Sequence, residues 1–174
     1  MSELFIRQSV PADSAAIEAL YPQAFPDEDL VPLVRSLLTD PVVAMSLVAL
    51  IDSEIIGHGM FTVCGIEGTE RKVVLLGPLA VTPNRQRQGV GSEIVDAGLE
   101  CARVTGADLV CVLGDPGYYG RSGFTPDTRI EPPYALPPEW GGAWQSQSLT
   151  ESGEPLAGQL VVPPQWQEPA LWGA

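Results

Sequence analysis

Basic residues are scarce in this chain. Lys and Arg together number nine against 22 Asp and Glu, which gives a net charge of -13 over 174 residues. A nucleic-acid partner needs a basic face to neutralise its phosphates, so this balance argues against one. An acidic protein favours cationic partners such as amines, although the same charge also serves solubility.

Long hydrophobic runs are missing as well. No window approaches the ~18 consecutive apolar residues that would span a membrane, so no membrane partner is predicted. The N-terminal sequence MSELFIRQS has neither a basic start nor an apolar core. It therefore predicts no signal peptide.

Histidine and cysteine are also few, with one and three residues. Cys64, Cys101 and Cys111 are widely spaced in apolar stretches, which favours reduced core thiols and a cytoplasmic location over a disulfide framework. Neither residue type has the spacing of a zinc site, so no metal is predicted.

The length suits one domain with a full-size core, and 45% apolar residues indicate a globular chain. Alternating strand and helix patterns predict an α/β or α+β class, a mixed sheet with helices on its faces. The expected elements up to residue 81 are a strand at Glu3–Gln8, a helix from Pro11 to about Tyr21, a helix at Leu30–Leu38, a hairpin of Ala44–Ile51 with Glu54–Cys64, and a strand at Lys72–Val81.

The amino-acid composition of the chain changes after residue 124. This part holds nine of the 17 prolines and all four tryptophans, and no Lys or Arg follows Arg129. Because proline pairs exclude a helix, residues 125–145 are expected to form an ordered loop. Residues 125–174 are too few to fold alone, so we expect them to complete the sheet of a single domain spanning 1–174. Two strands are expected here, Trp144–Leu149 and Gly158–Val162, joined by a turn at Glu151–Pro155.

The stretch 75–124 reads as strand, glycine-containing turn, helix, strand (Leu109–Leu113) and aromatic turn. Arg85, Arg87, Gly89 and Gly91 stand in the turn before the predicted helix, which is expected to have roughly 17 residues. A helix N-terminus has unpaired N–H groups and a positive dipole, and glycine lets a ligand approach the backbone. The pattern favours a phosphate or pyrophosphate site, with a ligand-free glycine turn as the alternative.

Two common phosphate motifs do not fit this turn. A Walker loop needs Gly-Lys-Ser/Thr, and no lysine occurs here. A Rossmann fingerprint needs a third small residue where Ile94 stands and an acidic residue closing the next strand, which instead ends Leu113-Gly114-Asp115.

The remaining pattern, Gln86-x-x-Gly89-x-Gly91, resembles the Gln/Arg-x-x-Gly-x-Gly/Ala signature of the GNAT superfamily of acyl-CoA-dependent N-acetyltransferases. The segment from Tyr118 to Phe124 is similar to that superfamily's Tyr-x-x-x-Gly-Phe ending. The run Val112–Arg121 and the Gly57-His58 pair resemble its YhbS-like branch more narrowly. The likeness covers the order of elements over nearly the whole chain and is sharpest from 75 to 124.

The resemblance implies a GNAT fold, with a mixed, mostly antiparallel sheet of about seven strands, splayed at the fourth and fifth, and helices on both faces. Acetyl-CoA would be the co-substrate, with its pantetheine arm paired to the end of the fourth strand like an added strand. Gly77-Pro78 independently favours a distorted strand there, because proline cannot donate a ladder bond. The implied cofactor-binding residues are Leu79, Ala80, Val81, Gln86, Arg87, Gln88, Gly89, Val90, Gly91, Ser92 and Arg121, and the backbone amides of 88–92 would hold the pyrophosphate.

Tyr119 falls on the family's general-acid tyrosine. A neutral amine attacks the thioester and the intermediate expels a CoA thiolate, which a phenol of pKa about 10 can protonate. A structural tyrosine that donates to a carbonyl is the alternative. Tyr118 is not expected to act directly, and Arg121 either reaches the CoA phosphates or pairs with Asp115.

A base or relay must take a proton from the incoming ammonium, and Glu28, His58 and Glu54 are the candidates. His58 would titrate near neutrality if exposed, with a hydrogen-bonded core histidine as the alternative. Glu28 lies in the loop that flanks the acceptor site in the family, so Glu28 and His58 are the predicted substrate-binding residues. Ordered water could replace either. Ser122 stands where the branch often has Phe, which bears on acyl-chain or acceptor preference.

The resemblance thus implies a cytoplasmic N-acetyltransferase, monomer or homodimer, that acts by direct attack in a ternary complex on a small amine or peptide amine. The alternatives are a non-catalytic acyl-CoA-binding regulatory module and transfer of another acyl group or to a hydroxyl. A covalent route through Cys64 is a further alternative. The tryptophans of the tail could wall the acceptor pocket, form a dimer face or fill the core; they are Trp140, Trp144, Trp166 and Trp172.

Overall fold

A computed structural model of the chain describes residues 3–150 and 155–173. The helices are α1 (Ser14–Ala24), α2 (Val31–Leu38), α3 (Val90–Val104) and the four-residue α4 (Pro116–Tyr119). The strands are β1 (Leu4–Gln8), β2 (Ala44–Ile51), β3 (Glu54–Ile66), β4 (Lys72–Val81), β5 (Leu109–Leu113), β6 (Thr125–Pro126), β7 (Ile130–Glu131), β8 (Trp144–Ser148) and β9 (Gly158–Val161). Every helix among these residues is too short or too polar to span a membrane.

The predicted bounds of β2, β4 and β5 are confirmed. The first helix differs, because Pro11–Asp13 forms a separate 3-10 turn and α1 then continues through Pro22 to its last residue, Ala24. The prediction of about seven strands was low, since the described residues form nine. The two extra strands, β6 and β7, are two residues each and lie in the proline-rich segment predicted as loop. Periodicity cannot detect elements that short.

The chain forms two compact units. The first consists of Met1–Thr62 and Gly77–Gly98, and the second of Val63–Leu76 and Leu99–Ala174. β3, β4 and α3 contribute residues to both units. Whether 1–174 is one domain stays a prediction.

In the first unit β1, β2 and β3 form consecutive antiparallel ladders, with Leu4 opposite Ile51. Asp52 and Ser53 have φ values of 52° and 65°, the left-handed conformation that a two-residue hairpin turn requires. The core is built from apolar residues at helical spacing on α1 and α2 and from buried residues of the strands. It contains Ile17, Leu20, Tyr21, Val34, Val48 and Ala80.

In the second unit β4 and β5 are parallel, from Val73 opposite Leu109 to Leu76 opposite Val112. β8 pairs antiparallel with β5 and β6, while β9 pairs with β3 and β7. β8 and β9 therefore have different partners and do not form a hairpin with each other. Residues 151–154 of the turn predicted between them lie outside the described residues.

Candidate active site

The turn between β4 and α3 belongs to the first unit. The N–H of Thr82 donates to Ile56 O at 2.8 Å, and Pro83–Arg85 form a 3-10 turn. Gln86 Nε2 donates to Val81 O at 3.0 Å, and Gln88 Nε2 donates to Asn84 O at 3.2 Å. These two side-chain amides fold the turn back onto its own backbone, so Gln86 holds the turn in shape.

The same turn presents a row of backbone donors. Arg87 and Gly89 have φ values of 63° and 85°, and the first backbone bond afterwards runs from Glu93 N to Gly89 O at 3.1 Å. Within the described residues, no protein acceptor receives the N–H groups of 88–92. A Cβ added at Gly89 would meet nothing within 4 Å, so the space beside it is open. Unpaired N–H groups at the positive end of a helix suit an anion such as pyrophosphate.

The end of β4 leads into this turn. The ladder with β5 stops at Leu76, directly before Gly77-Pro78, where the sequence predicts a break in regular pairing. In the first unit, Ala80 is buried, while Leu79 and Val81 are partly exposed. The predicted pantetheine-pairing residues therefore lie on strand backbone that follows the break.

Tyr119 lies in the second unit, at the C-terminal end of α4. Asp115 caps this helix, because its Oδ1 accepts from Gly117 N at 2.9 Å and its carbonyl accepts from Tyr119 N at 3.0 Å. The phenol ring packs against Gly114, where a Cβ would lie 2.5 Å from Tyr119 Cε2. Phe124 completes the ring's surroundings, with its centroid 5.9 Å away. Gly114 thus leaves the space that the ring occupies.

The Tyr119 hydroxyl donates to no protein acceptor among the described residues, so it is not the carbonyl-bonded tyrosine of the alternative interpretation. Burial, and secondarily the electrostatic interaction with Tyr118, raises the pKa of Tyr119. A raised pKa keeps the phenol protonated at neutral pH, which is the state a general acid needs.

Gln145 supports Gly114 from β8. Its side chain is fully buried, and Nε2 donates to Gly114 O at 3.1 Å and to Ala143 O at 3.3 Å. Gly114 N also donates to Ala143 O at 3.0 Å. These bonds fix the glycine on which the Tyr119 ring packs.

Arg121 is exposed, and its guanidinium carbon lies 5.4 Å from the centroid of the Tyr118 ring. The alternative ion pair with Asp115 does not form; the four salt bridges of the described residues involve other side chains. Arg121 is therefore held by an aromatic face rather than by a carboxylate.

His58, one of the two predicted substrate-binding residues, is fully buried in the first unit and is therefore not an exposed base. Its Nδ1 lies 2.6 Å from the Tyr21 hydroxyl and its Nε2 lies 2.8 Å from Ser46 Oγ. Ser46 Oγ in turn accepts from Ser9 Oγ at 2.7 Å. Burial lowers the pKa of His58 to about 3, so the ring is neutral. The alternative of a hydrogen-bonded core histidine is the correct one.

Glu28 and Glu54 are exposed surface acids, and neither takes part in a salt bridge of the described residues. Cys64 and Cys111 are buried thiols that form no disulfide. Burial raises the pKa of Cys64 to about 12, and the pKa of Cys111 is raised as well. Neither thiol is suited to act as a nucleophile. The described residues contain no group of three or more potential ligands that could hold a metal ion.

Three of the tail tryptophans fill the core of the second unit. Trp172 packs against Trp144 and Trp166 at centroid distances of 5.7 and 5.8 Å, and all three are buried. Trp140 differs, since 37% of it is exposed.

Sequence reasoning missed four residues of these sites. From the sequence, Tyr21 was assigned only as the end of a helix, and Ser46 as an ordinary strand residue. Gly114 was considered only as part of a motif that was rejected, and Gln145 only as a polar residue in a strand. A polar residue at a buried strand position was the available signal for Ser46 and Gln145.

Comparison with known proteins identifies the family. Residues 14–124 match the model of the acetyltransferase (GNAT) family. The uncharacterized N-acetyltransferase YjhQ of Escherichia coli K12 is 35% identical over 156 residues, which cover 86% of each chain. The chain belongs to the GNAT family.

Two solved structures share its fold over almost the full length. E. coli YhbS in complex with CoA superposes with a TM-score of 0.85 at 26% identity and covers 97% of this chain and 94% of its own. A GNAT acetyltransferase from Brucella melitensis in complex with acetyl-CoA gives a TM-score of 0.76 at 27% identity, over 95% and 99% of the two chains. The predicted mixed α/β GNAT fold is confirmed, with nine strands where about seven were predicted, and so is the likeness to YhbS.

Proposed function

We propose that this protein transfers the acetyl group of acetyl-CoA to a primary amine by direct attack in a ternary complex. Membership of the GNAT family and the CoA and acetyl-CoA complexes of two relatives support the co-substrate. The observation that carries the proposal is the turn before α3, whose backbone N–H groups at 88–92 have no protein acceptor among the described residues. They suit a pyrophosphate better than any other ligand of an acetyltransferase.

Each predicted cofactor residue receives a role in this proposal. Backbone amides of Gln88, Gly89, Val90, Gly91 and Ser92 bind the pyrophosphate. The exposed guanidinium groups of Arg87 and Arg121 supply positive charge to the CoA phosphates. The strand backbone at Leu79, Ala80 and Val81 pairs with the pantetheine amides. Gln86 acts indirectly, by holding the turn.

Tyr119 is the proposed general acid. The neutral amine nitrogen attacks the thioester carbon, a C–N bond forms, and the C–S bond then breaks. The departing CoA sulfur takes the phenolic proton, and the tyrosine recovers a proton from solvent while the product nitrogen loses one. The unpaired hydroxyl and the raised pKa of Tyr119 support this assignment. The buried thiols of Cys64 and Cys111 favour direct attack over an acetyl-enzyme.

We assign no residue as the general base that accepts the proton from the amine. His58 is buried and neutral, so we do not propose it as a direct base. Glu28 remains a candidate for contact with the acceptor, and water is the other route. We further propose a cytoplasmic location, because the three cysteines form no disulfide, and one domain over 1–174 that acts as a monomer or homodimer.

The proposal is tested by release of CoA thiol from acetyl-CoA in the presence of a panel of primary amines, with mass spectrometry of the products. Amine-dependent thiol release with an N-acetylated product is the expected result. Tight acetyl-CoA binding without turnover for any amine would instead favour the non-catalytic acyl-CoA-binding module. Turnover only with longer acyl-CoAs or with alcohols would favour a different acyl transfer.

A further inference from the structure

The proline-rich segment of the second unit forms a cavity of about 620 Å³ that is largely open to solvent. This volume lies within the ~300–1,000 Å³ range of small-molecule sites. Its walls are mostly apolar and aromatic, formed by Pro132, Pro133, Tyr134, Leu136, Pro137 and Trp140. Trp140 keeps 37% of its surface exposed while the three other tryptophans are buried, so core packing does not account for it.

The walls are rigid before any ligand arrives. Each proline fixes its own φ, and Trp140 is held in a tight turn, where its N–H donates to Pro137 O and its carbonyl accepts from Ala143 N, both at 2.9 Å. A preformed wall loses little conformational entropy on binding, which favours affinity for a small ligand.

Both charged residues that line the cavity are acidic. Asp127 and Glu131 line it, and no Lys or Arg is among the lining residues. Asp127 is held in place, since its Oδ1 accepts from the N–H groups of Arg129 and Ile130 and its Oδ2 accepts from Ser146 Oγ at 2.5 Å. The Glu131 side chain is exposed and enters no salt bridge of the described residues. A cation is complementary to this lining and an anion is repelled.

The cavity wall is tied to the support of Tyr119 within the same unit. Gly142 and Trp144, two of the lining residues, flank Ala143, whose carbonyl accepts from Gly114 N at 3.0 Å. The Tyr119 ring packs on that same Gly114. A ligand in the cavity would therefore bind against the segment that positions the proposed acid.

We propose that this cavity binds the acetyl acceptor, and that the acceptor is a primary amine with an aromatic or other apolar body. The inference rests on the proposed acetyl transfer. The apolar body fills the space between the prolines and Trp140, and the positive charge is attracted by Glu131 and Asp127. A flexible polyamine would leave the apolar walls unfilled, and a polyhydroxylated amine would bury hydroxyls without partners.

The test compares 2-phenylethylamine with 1,5-diaminopentane as acceptors, and measures binding of each to the CoA-saturated protein by calorimetry. We expect 2-phenylethylamine to bind and to give a kcat/KM at least about tenfold higher, as desolvation of the aromatic ring favours it. The anion 3-phenylpropionate, which has the same ring, should not bind.

Variants localise the effect. Trp140→Ala should reduce the preference for 2-phenylethylamine about tenfold, while Trp140→Phe should retain most of it, since a phenyl ring preserves the aromatic wall. Glu131→Gln should raise KM for the amine several-fold. Glu139→Gln alters an exposed acid of the same segment that does not line the cavity. It should change neither the preference for 2-phenylethylamine nor its KM.

Two outcomes separate this inference from the acetyl transfer on which it rests. Thiol release with polar amines, together with failure of 2-phenylethylamine to bind or react, would overturn the cavity assignment and leave the transfer intact. Binding of 2-phenylethylamine that Trp140→Ala weakens and Glu139→Gln does not, without thiol release for any amine, would support the cavity as an amine site and overturn the transfer. Equal use of both amines by the parent chain and by Trp140→Ala would also overturn the cavity assignment.

Discussion

The Tyr21 hydroxyl lies 2.6 Å from Nδ1 of His58, and both side chains are buried in the first unit. With Ser46 at the other ring nitrogen, His58 is satisfied without a charge. The Tyr21 hydroxyl also donates to Pro78 O at 3.4 Å, so one side chain joins α1 to β3 and β4. The single histidine of the chain therefore serves structure, and its protonation competes with folding.

The first prediction concerns stability in acid. Burial lowers the pKa of His58 from 6.5 to about 3 in the folded chain, so below pH 6.5 the unfolded chain binds a proton that the folded chain does not. The contribution of neutral His58 to the free energy of unfolding is fully present above about pH 6.5. As the pH falls toward 3, this free energy decreases by up to about 1.4 kcal/mol per pH unit. Urea unfolding between pH 7.5 and 4.5 measures it. His58→Gln should show a shallower loss, and an equal loss in both proteins would contradict the assignment.

The second prediction isolates the anion-binding turn. Gly89 and Gly106 have φ values of 85° and 87°, and a Cβ at either would meet nothing within 4 Å. Gly89→Ala and Gly106→Ala should therefore destabilise the fold similarly, by about 1–2 kcal/mol. Only Gly89→Ala should weaken acetyl-CoA binding, by about tenfold, because the strain shifts N–H groups that donate to the phosphates. Calorimetric titration measures the acetyl-CoA affinity of both variants. Equal affinities would show that the turn does not belong to the binding site.

The third prediction tests packing of α3. A Cβ at Gly98 would lie 1.9 Å from Phe61 Cζ in the first unit, so Gly98→Ala should cost about 1–3 kcal/mol of unfolding free energy. Phe61→Leu in the same chain should recover part of this loss, which a double-mutant cycle measures. Gly120→Ala is the control, since its φ is -57° and its Cβ space is open. A Gly98→Ala protein as stable as the control would contradict this packing.

The fourth prediction concerns the thiols. Because burial raises the pKa of Cys64 and Cys111, iodoacetamide at pH 8 should alkylate the partly exposed Cys101 first in the native protein. Peptide mass spectrometry gives the order. Cys64→Ala should retain kcat to within about twofold, as no thiol carries the acetyl group in direct attack. A large loss of kcat with an intact fold would instead support a covalent acetyl-enzyme on Cys64.

The sequence predicted the parts of this protein that local patterns determine. The strand β4, the end of its ladder with β5 before Gly77-Pro78 and the turn with Gly89 were found from residue types at short spacing. Tyr119 was assigned only through the resemblance to the GNAT superfamily, and its role stays a prediction. The hydrogen bonds of His58 could not be predicted, because Tyr21, Ser46 and His58 are far apart in sequence and only the packed fold brings them together. The partners of β8 and β9 were also beyond reach, since strand pairing between distant segments leaves no local signal.

The cavity in the proline-rich segment shows the same limit. Proline pairs correctly excluded an α-helix between residues 125 and 145, but the composition of this segment did not indicate a cavity. The walls of the cavity depend on the turn at Trp140 and on Gly142, whose φ is 85°. Backbone geometry of this kind is chosen by the whole fold rather than by the segment alone.

The most direct test of the account compares Tyr119→Phe with the parent chain. Removal of the hydroxyl leaves the ring packing on Gly114 and Phe124 in place, so the fold and the dissociation constant of acetyl-CoA should be unchanged. Loss of the proton donor for the departing thiolate should lower kcat ~10²-fold or more. Tyr118→Phe is the matched control and should retain most of the activity. An undiminished kcat for Tyr119→Phe, at equal acetyl-CoA affinity, would contradict the central claim.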